Sequence, residues 1–432
     1  MNQETRSNQD IRNLWNLDPS FTFLNHGSYG ATPKSIIEER HQLLLHIESE
    51  PVRHYSREID SLLDRARISL ARFIGADPEG LVFLPNATTG VNTVLESLDF
   101  RPGDEILTTD HIYNACNNAA EFVTRKTGAK VVTVRIPFPI ASADTVKELV
   151  LAGVTPRTRL VLIDHVTSPT ALVFPVGDII KELRPRGIEV LVDGAHAPGM
   201  LPLDVKGLGA AYYTGNCHKW LCAPKGSAFL YLREDVRAKI RPLTISHGAN
   251  SARTDKSFLH LEFDWTGTAD YTPYMVIPSC LRFLETLYPG HPMEFMARNH
   301  RMAVWAMEYL CDRFDAPAPC PRDMLGSMAT VAVLPLPASP SPEAPLATLC
   351  RSGCSRSSAL RSRWSGGRPP SSGRCACPPR PTTRARTTCV SPVRSRRSLV
   401  DGRPERKSRS QASARDRESS CLPRDRTLLL PR

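Results

Sequence analysis

The 432-residue chain contains no run of about 18 apolar residues, the length a membrane-spanning helix needs. Residues 1–10 are polar and lack the apolar core of a secretory leader. Both absences predict a cytoplasmic protein with no membrane contact. The 12 cysteines fall irregularly, without the Cys-x-x-Cys spacing of a zinc site or the dense framework of a small secreted domain. Free thiols and no metal centre are expected. No Gly-x-Gly-x-x-Gly or Walker sequence occurs, which argues against dinucleotide and ATP chemistry.

Further absences mark the C-terminal part. Beyond residue 337 there is no Ile, Phe, Tyr, Asn, Met or His, and one Lys, Lys407, stands against 20 Arg. Residues 338–432 hold 21 Lys plus Arg against 6 Asp plus Glu, a net of +15, which leaves the first 337 residues at −4. The overall charge of +11 therefore describes the tail, and nucleic-acid binding would rest on that tail alone. A phosphate-binding tail has no reason to exclude Lys, because either cation serves the electrostatics. Joint loss of residues with AT-rich codons is what a shifted frame through GC-rich DNA yields, and a frameshift between about Ala332 and Cys350 is expected. The alternative is a natural disordered Arg/Ser-rich tail. Under the frameshift reading Cys350, Cys354, Cys375, Cys377, Cys389 and Cys421 carry no ligand role.

The body reads differently. Short β-branched runs at 81–84, 105–107, 130–134, 160–163, 188–192, 211–213 and 228–232 alternate with helical patterns, which predicts a parallel sheet covered by helices. Ligands of such folds gather at the carboxyl ends of the strands. Three segments there carry chemistry. In Tyr213-Thr-Gly-Asn-Cys-His-Lys219-Trp220 a lysine follows a strand in a cramped turn, where desolvation lowers its pKa enough for Schiff-base formation. Asp193 ends an apolar strand before Gly194-Ala-His-Ala-Pro-Gly199, a place for a buried carboxylate. Asn86-Ala-Thr-Thr-Gly90 stands between a strand and a helix, where backbone amides and hydroxyls can cradle a phosphate.

These segments resemble the class V aminotransferase family of pyridoxal-5′-phosphate (PLP) enzymes over about residues 24–337, and look most like its isopenicillin N epimerase branch. The resemblance implies an α/β fold of PLP type I: a mainly parallel seven-stranded sheet with helices on both faces, then an incomplete α+β small domain. Its domains are an N-terminal segment 1–20, a PLP-binding domain 21–270, the start of a small domain 271–337, and the tail. It makes Lys219 the carrier of PLP, Asp193 the partner of the pyridine nitrogen and His196, three residues on, the partner of the phenolic oxygen. Ala87, Thr88 and Thr89 become phosphate ligands, and Thr214, Asn216 and His218 further cofactor contacts. His111 aligns with a stacking and catalytic histidine, with Tyr113 the alternate. Asn25, His165 and Ser168 fall where the family meets its substrate. Thr268 matches a threonine that reaches the phosphate of the other subunit, which implies a homodimer.

The implied activity is α-proton removal from an amino acid or a derivative of one, with Lys219 serving one face and His111, Tyr113 or water the other. Cysteine desulfurases, C–S lyases and transaminases share the scaffold, and a catalytically impaired remnant is a further reading. One departure is large: the family's Arg-x-Ser strand, whose Arg pairs with the substrate carboxylate, is absent after Pro337.

The coding DNA tests the tail. Inserting or deleting one or two bases between the codons for about Ala332 and Cys350 should restore Ile, Phe and Tyr at strand spacing and an Arg-x-Ser segment near the end. Stop codons in both alternative frames would show that the tail is genuine.

Overall fold

A computed structural model describes residues 8–288 and 293–332 of the chain. The tail 338–432, with its six cysteines and the reading-frame question, lies outside the described residues. All seven expected strands form: β1 Leu81–Leu84, β2 Glu105–Thr109, β3 Lys130–Val134, β4 Thr158–Asp164, β5 Glu189–Asp193, β6 Tyr212–Asn216 and β7 Ala228–Leu232. They make one sheet in the order β1-β7-β6-β5-β4-β2-β3. The pairings from β3 through β6 are parallel, and β7 runs antiparallel to both neighbours.

Unbroken apolar runs form strands here because both faces are covered, so alternate residues enter two separate cores. Val161, Ile163, Val190, Val192, Tyr213 and Phe229 point to one. There they meet helices α1 (Ile59–Phe73), α4 (Ala143–Ala152), α5 (Val176–Leu183) and α6 (Ile277–Glu285). Leu160, Leu162, Leu191, Tyr212 and Leu230 point to the other, against α2 (Ala87–Ser97) and α3 (Asn114–Thr127). Each fully buried aliphatic side chain contributes roughly 1.5–3 kcal/mol, against about 0–1 kcal/mol for an exposed ion pair. The sheet is therefore held from its faces, and its strand ends are free to carry polar groups.

Helix α2 starts where the sequence supplies a cap: Asn86 Oδ1 accepts the Thr89 amide at 2.8 Å. Gly90 lets this helix lie on β6, because a Cβ there would stand 2.2 Å from Thr214 Oγ1. Among the described residues, 271–332 add helices, including α7 (Glu294–Phe314), but no strand. No helix of the described residues is long and apolar enough to cross a membrane.

One buried ionic cluster fastens the segment Asp264–Asp270 to the sheet. Arg67, 2% exposed, donates from Nε to Leu81 O at 3.0 Å and contacts the carboxylates of Asp64 and Asp264. Lys256 Nζ lies 3.0 Å from Asp264 Oδ2 and 3.2 Å from Asp64 Oδ1. Removing one partner of a buried pair strands the other charge, so Arg67→Met should lower stability by about 3 kcal/mol. Urea unfolding measures that loss; a midpoint equal to wild type would show the cluster to be energetically neutral.

Candidate active site

The carboxyl ends of β2, β4, β5 and β6 meet the start of α2 around a cavity of about 150 Å³. The strand order reverses direction between β2 and β4, the switch point at which α/β sheets open a crevice. Lys219 reaches this cavity from the turn between β6 and β7, with Nζ 3.1 Å from His196 Nε2.

That turn is tightly held. The amides of Cys217 and His218 both donate to Ser227 O, and the His218 imidazole donates from Nδ1 to the same carbonyl at 2.8 Å. Burial drives the His218 pKa down to about 4, so the ring is neutral and keeps this tautomer. His26 Nε2 donates to Lys219 O at 2.9 Å, which ties the N-terminal helix His26–Tyr29 to the lysine's own backbone. Gly30, at φ +69°, permits the approach: a Cβ there would lie 2.1 Å from His218 O.

Asp193 sits on the cavity wall and is 3% exposed. Its Oδ1 accepts the Ala195 amide at 3.0 Å and its Oδ2 accepts the Cys116 thiol at 3.1 Å. Burial, then the neighbouring carboxylates Asp193 and Asp164, push the Cys116 pKa far up, so the thiol remains a donor. At the start of α2, Ala87 N–H donates to Asn216 Oδ1 at 2.9 Å and the Thr89 amide and hydroxyl go to Asn86 Oδ1. Among the described residues no hydrogen bond uses the amide or hydroxyl of Thr88, which lines the cavity. A first-turn amide left to a cavity is an anion site. With an amine, a buried carboxylate and an anion cradle on one wall, the residues fit PLP.

The structure brings Lys219, Asp193, His196, Ala87, Thr88, Asn216, His218, Tyr113 and Ser168 to this cavity. It does not bring the others. His111 is buried behind it, with Nδ1 2.7 Å from Thr170 Oγ1 and Nε2 donating to Ile136 O at 3.1 Å. Both ring nitrogens are thereby spent on holding the loop after β2, and Tyr113, 44% exposed, is the aromatic at the wall. His165 lies on the opposite face of the sheet, bonded through Nδ1 to Tyr213 Oη at 2.9 Å and driven down to about 4 by burial. The reason is strand alternation: Asp164 and His165 are consecutive, so one faces the cavity and the other the far core.

Thr214 packs against Gly90 beneath the wall and donates to Phe229 O at 2.8 Å. Thr89 is committed to its cap. Asn25 caps His26–Tyr29 without a side-chain bond, and Ser28 and Tyr29 from that helix reach the wall instead. Thr268 is exposed and outside this chain's cavity. Asp164, Ser28, Tyr29 and Cys116 are contributors to which the motif reading gave no role, and Asn86, the first residue of the phosphate-cradling segment, lines the cavity as the cap of α2. For Asp164 a signal existed: extending β4 by one residue puts it on the same face as Leu162.

Isopenicillin N epimerase of Streptomyces clavuligerus is 35% identical over 317 residues, covering 71% of this chain and 78% of that protein. A probable chloroplastic L-cysteine desulfhydrase of Arabidopsis thaliana is 32% identical over 329 residues, or 73% of this chain and 68% of its own length. The fold recurs in the cystine C–S lyase C-DES, solved with its product cysteine persulfide, at a TM-score of 0.62 and 24% identity over 72% of this chain and 84% of the lyase. Residues 23–288 match the class V aminotransferase family. The chain belongs to the class V aminotransferases and is a PLP-dependent enzyme.

Proposed function

We propose that this chain exchanges the α-proton of an amino acid or amino-acid-derived substrate and returns it with inverted configuration, in the manner of an isopenicillin N epimerase. The observation that carries this reading is the convergence of Lys219, Asp193 and the α2 amides on one cavity. PLP, when bound, supplies an electron sink for the charge developed at Cα. Lys219 would hold the cofactor covalently at rest and, once a substrate amine had displaced it and freed its Nζ, would move the proton on the face it occupies. Asp193, desolvated on the cavity wall, would pair with the pyridine nitrogen. Thr88, through its amide and hydroxyl, would hold the phosphate, with Ala87 and Asn216 shaping that end. His196, 3.1 Å from Lys219 Nζ, takes the phenolic oxygen. Tyr113 covers the ring, and Ser28, Tyr29 and Ser168 bound the substrate side.

Proton delivery to the second face falls to Tyr113 or a water beside it, since both His111 nitrogens are engaged elsewhere. Exposed Thr268, set on the segment fastened by Arg67, supports a homodimer in which it completes the partner's site. Tyr29, which lines the cavity and is 77% exposed, supports it as well. A C–S lyase activity is the second reading, favoured by the likeness to the desulfhydrase.

Product analysis separates the two readings. Incubation of candidate amino acids in D₂O should give inverted substrate carrying deuterium at Cα, and release of sulfide with pyruvate would establish the lyase instead. Borohydride should fix the cofactor to the peptide containing His218-Lys219-Trp220; label on any other lysine overturns the assignment. Lys219→Ala should lose that adduct and about 10²–10⁴-fold in proton exchange. Asp193→Asn should retain PLP through its phosphate yet exchange at least about tenfold more slowly, the equivalent of one pK unit at the ring nitrogen. Exchange at the wild-type rate would show that another group protonates the ring.

A further inference from the structure

Strands β4 and β5 end in register, with Asp164 paired to Asp193 across the parallel ladder. Neighbouring strands lie about 4.8 Å apart, and both side chains take the face of Leu162 and Leu191, toward α3. Each residue is 3% exposed and lines the cavity. Their partners differ. Asp193 accepts two donors, the Ala195 amide and the Cys116 thiol. Asp164 takes backbone amides from Tyr113 and from itself, while its Oδ2 is buried with no hydrogen-bond partner among the described residues.

The titratable groups around Asp164 are Asp193 from β5, Cys116 from α3, Lys219 from the turn after β6, and Tyr113, His196 and His218 on the same cavity wall. One amine faces two carboxyl groups. Two like charges held side by side without water cannot both ionise at low cost, and the carboxyl with an unpartnered buried oxygen, Asp164, keeps the proton. In line with this geometry, burial and then the Asp193 charge push the Asp164 pKa far above the usual carboxylate range.

We propose that Asp164 is a positioning residue: it stays a neutral carboxylic acid beside Asp193, so that the pair carries a single negative charge and that charge resides on Asp193. The proposal rests on the reading that Asp193 faces the pyridine nitrogen. A doubly charged pair would over-stabilise the protonated ring and hold Lys219 as an ammonium. A pair with one mobile proton keeps the ring's partner ionised and leaves Asp164 an O–H donor at the cavity floor.

The test compares full-length wild type with Asp164→Asn, which is neutral and nearly isosteric. Infrared difference spectra at neutral pH should contain the carbonyl band of a protonated carboxyl in wild type, with and without cofactor, and lose it in Asp164→Asn. The visible absorption band of bound PLP should coincide in the two proteins at neutral pH and shift in Asp193→Asn. A wild type without the protonated band, or a visible band displaced by Asp164→Asn, overturns the proposal.

Folding gives an independent readout. A carboxyl whose pKa is raised in the native state binds more protons there than when unfolded, so its stabilising contribution is full below about pH 4 and is lost as pH rises. Wild type should therefore lose stability relative to Asp164→Asn between acid and neutral pH, and parallel profiles overturn the assignment. If the Asn variant does not fold, ¹³C-aspartate labelling of wild type replaces it: a carboxyl carbon with the protonated shift at neutral pH supports the proposal, and its absence overturns it. An unshifted visible band in Asp193→Asn removes Asp193 from the ring and with it the cofactor-facing half of the proposal, while the carboxyl band still decides where the proton sits.

Discussion

Burial of the parallel sheet on both faces is the constraint from which the rest follows. Residues in β4, β5 and β6 alternate between two cores, so their side chains have no access to water until the strands end. Polar groups appear where the ladder stops, at Asp164, Asp193 and Asn216. Because the three strands run parallel, those ends fall on one edge, and the switch between β2 and β4 opens the crevice beside them. A sheet with one wet face would have scattered such residues along its length.

Desolvation then sets the chemistry of the edge. It makes His218 neutral, so the imidazole can brace the Lys219 turn as a donor without adding charge next to the amine. It keeps Cys116 a thiol, which gives Asp193 a donor in place of a competing anion. The same low polarity makes an unpartnered carboxyl group costly, and Asp193 answers with two donors, the Ala195 amide and the Cys116 thiol. The edge therefore sets a hydrogen-bonded carboxyl group, Asp193, and the Lys219 amine on one cavity wall.

Likeness to an epimerase and to a desulfhydrase is consistent with this division of labour. In the proposed reading, the parts that would hold PLP come from the sheet edge, and discrimination among reactions would belong to Tyr113, Ser28 and Tyr29 on the rest of the cavity wall and to the exposed Thr268 segment. These lie on loops and on a four-residue helix, where substitution is cheap compared with the buried strands.

The sequence by itself determined the seven strands and the three motif segments, because both depend on local signals. An apolar run of four or five residues must be buried as a strand or as part of a helix, and Gly, Asn and Lys at its end mark the turn. It also distinguished the body from the tail by composition alone. What only the tertiary structure decided is the direction of each side chain. Asp164 and His165, or His111 and Tyr113, are near neighbours in sequence, yet a shift of one residue along a strand sends a side chain to the opposite core, and His111 is spent on the Ile136 carbonyl and the Thr170 hydroxyl. Likewise Ser28 and Tyr29 rather than Asn25 reach the cavity, since the short helix docked on Lys219 turns that face inward. Spacing along the chain carries no information about which way such a turn rotates; the packing of Gly30 on the His218 carbonyl does.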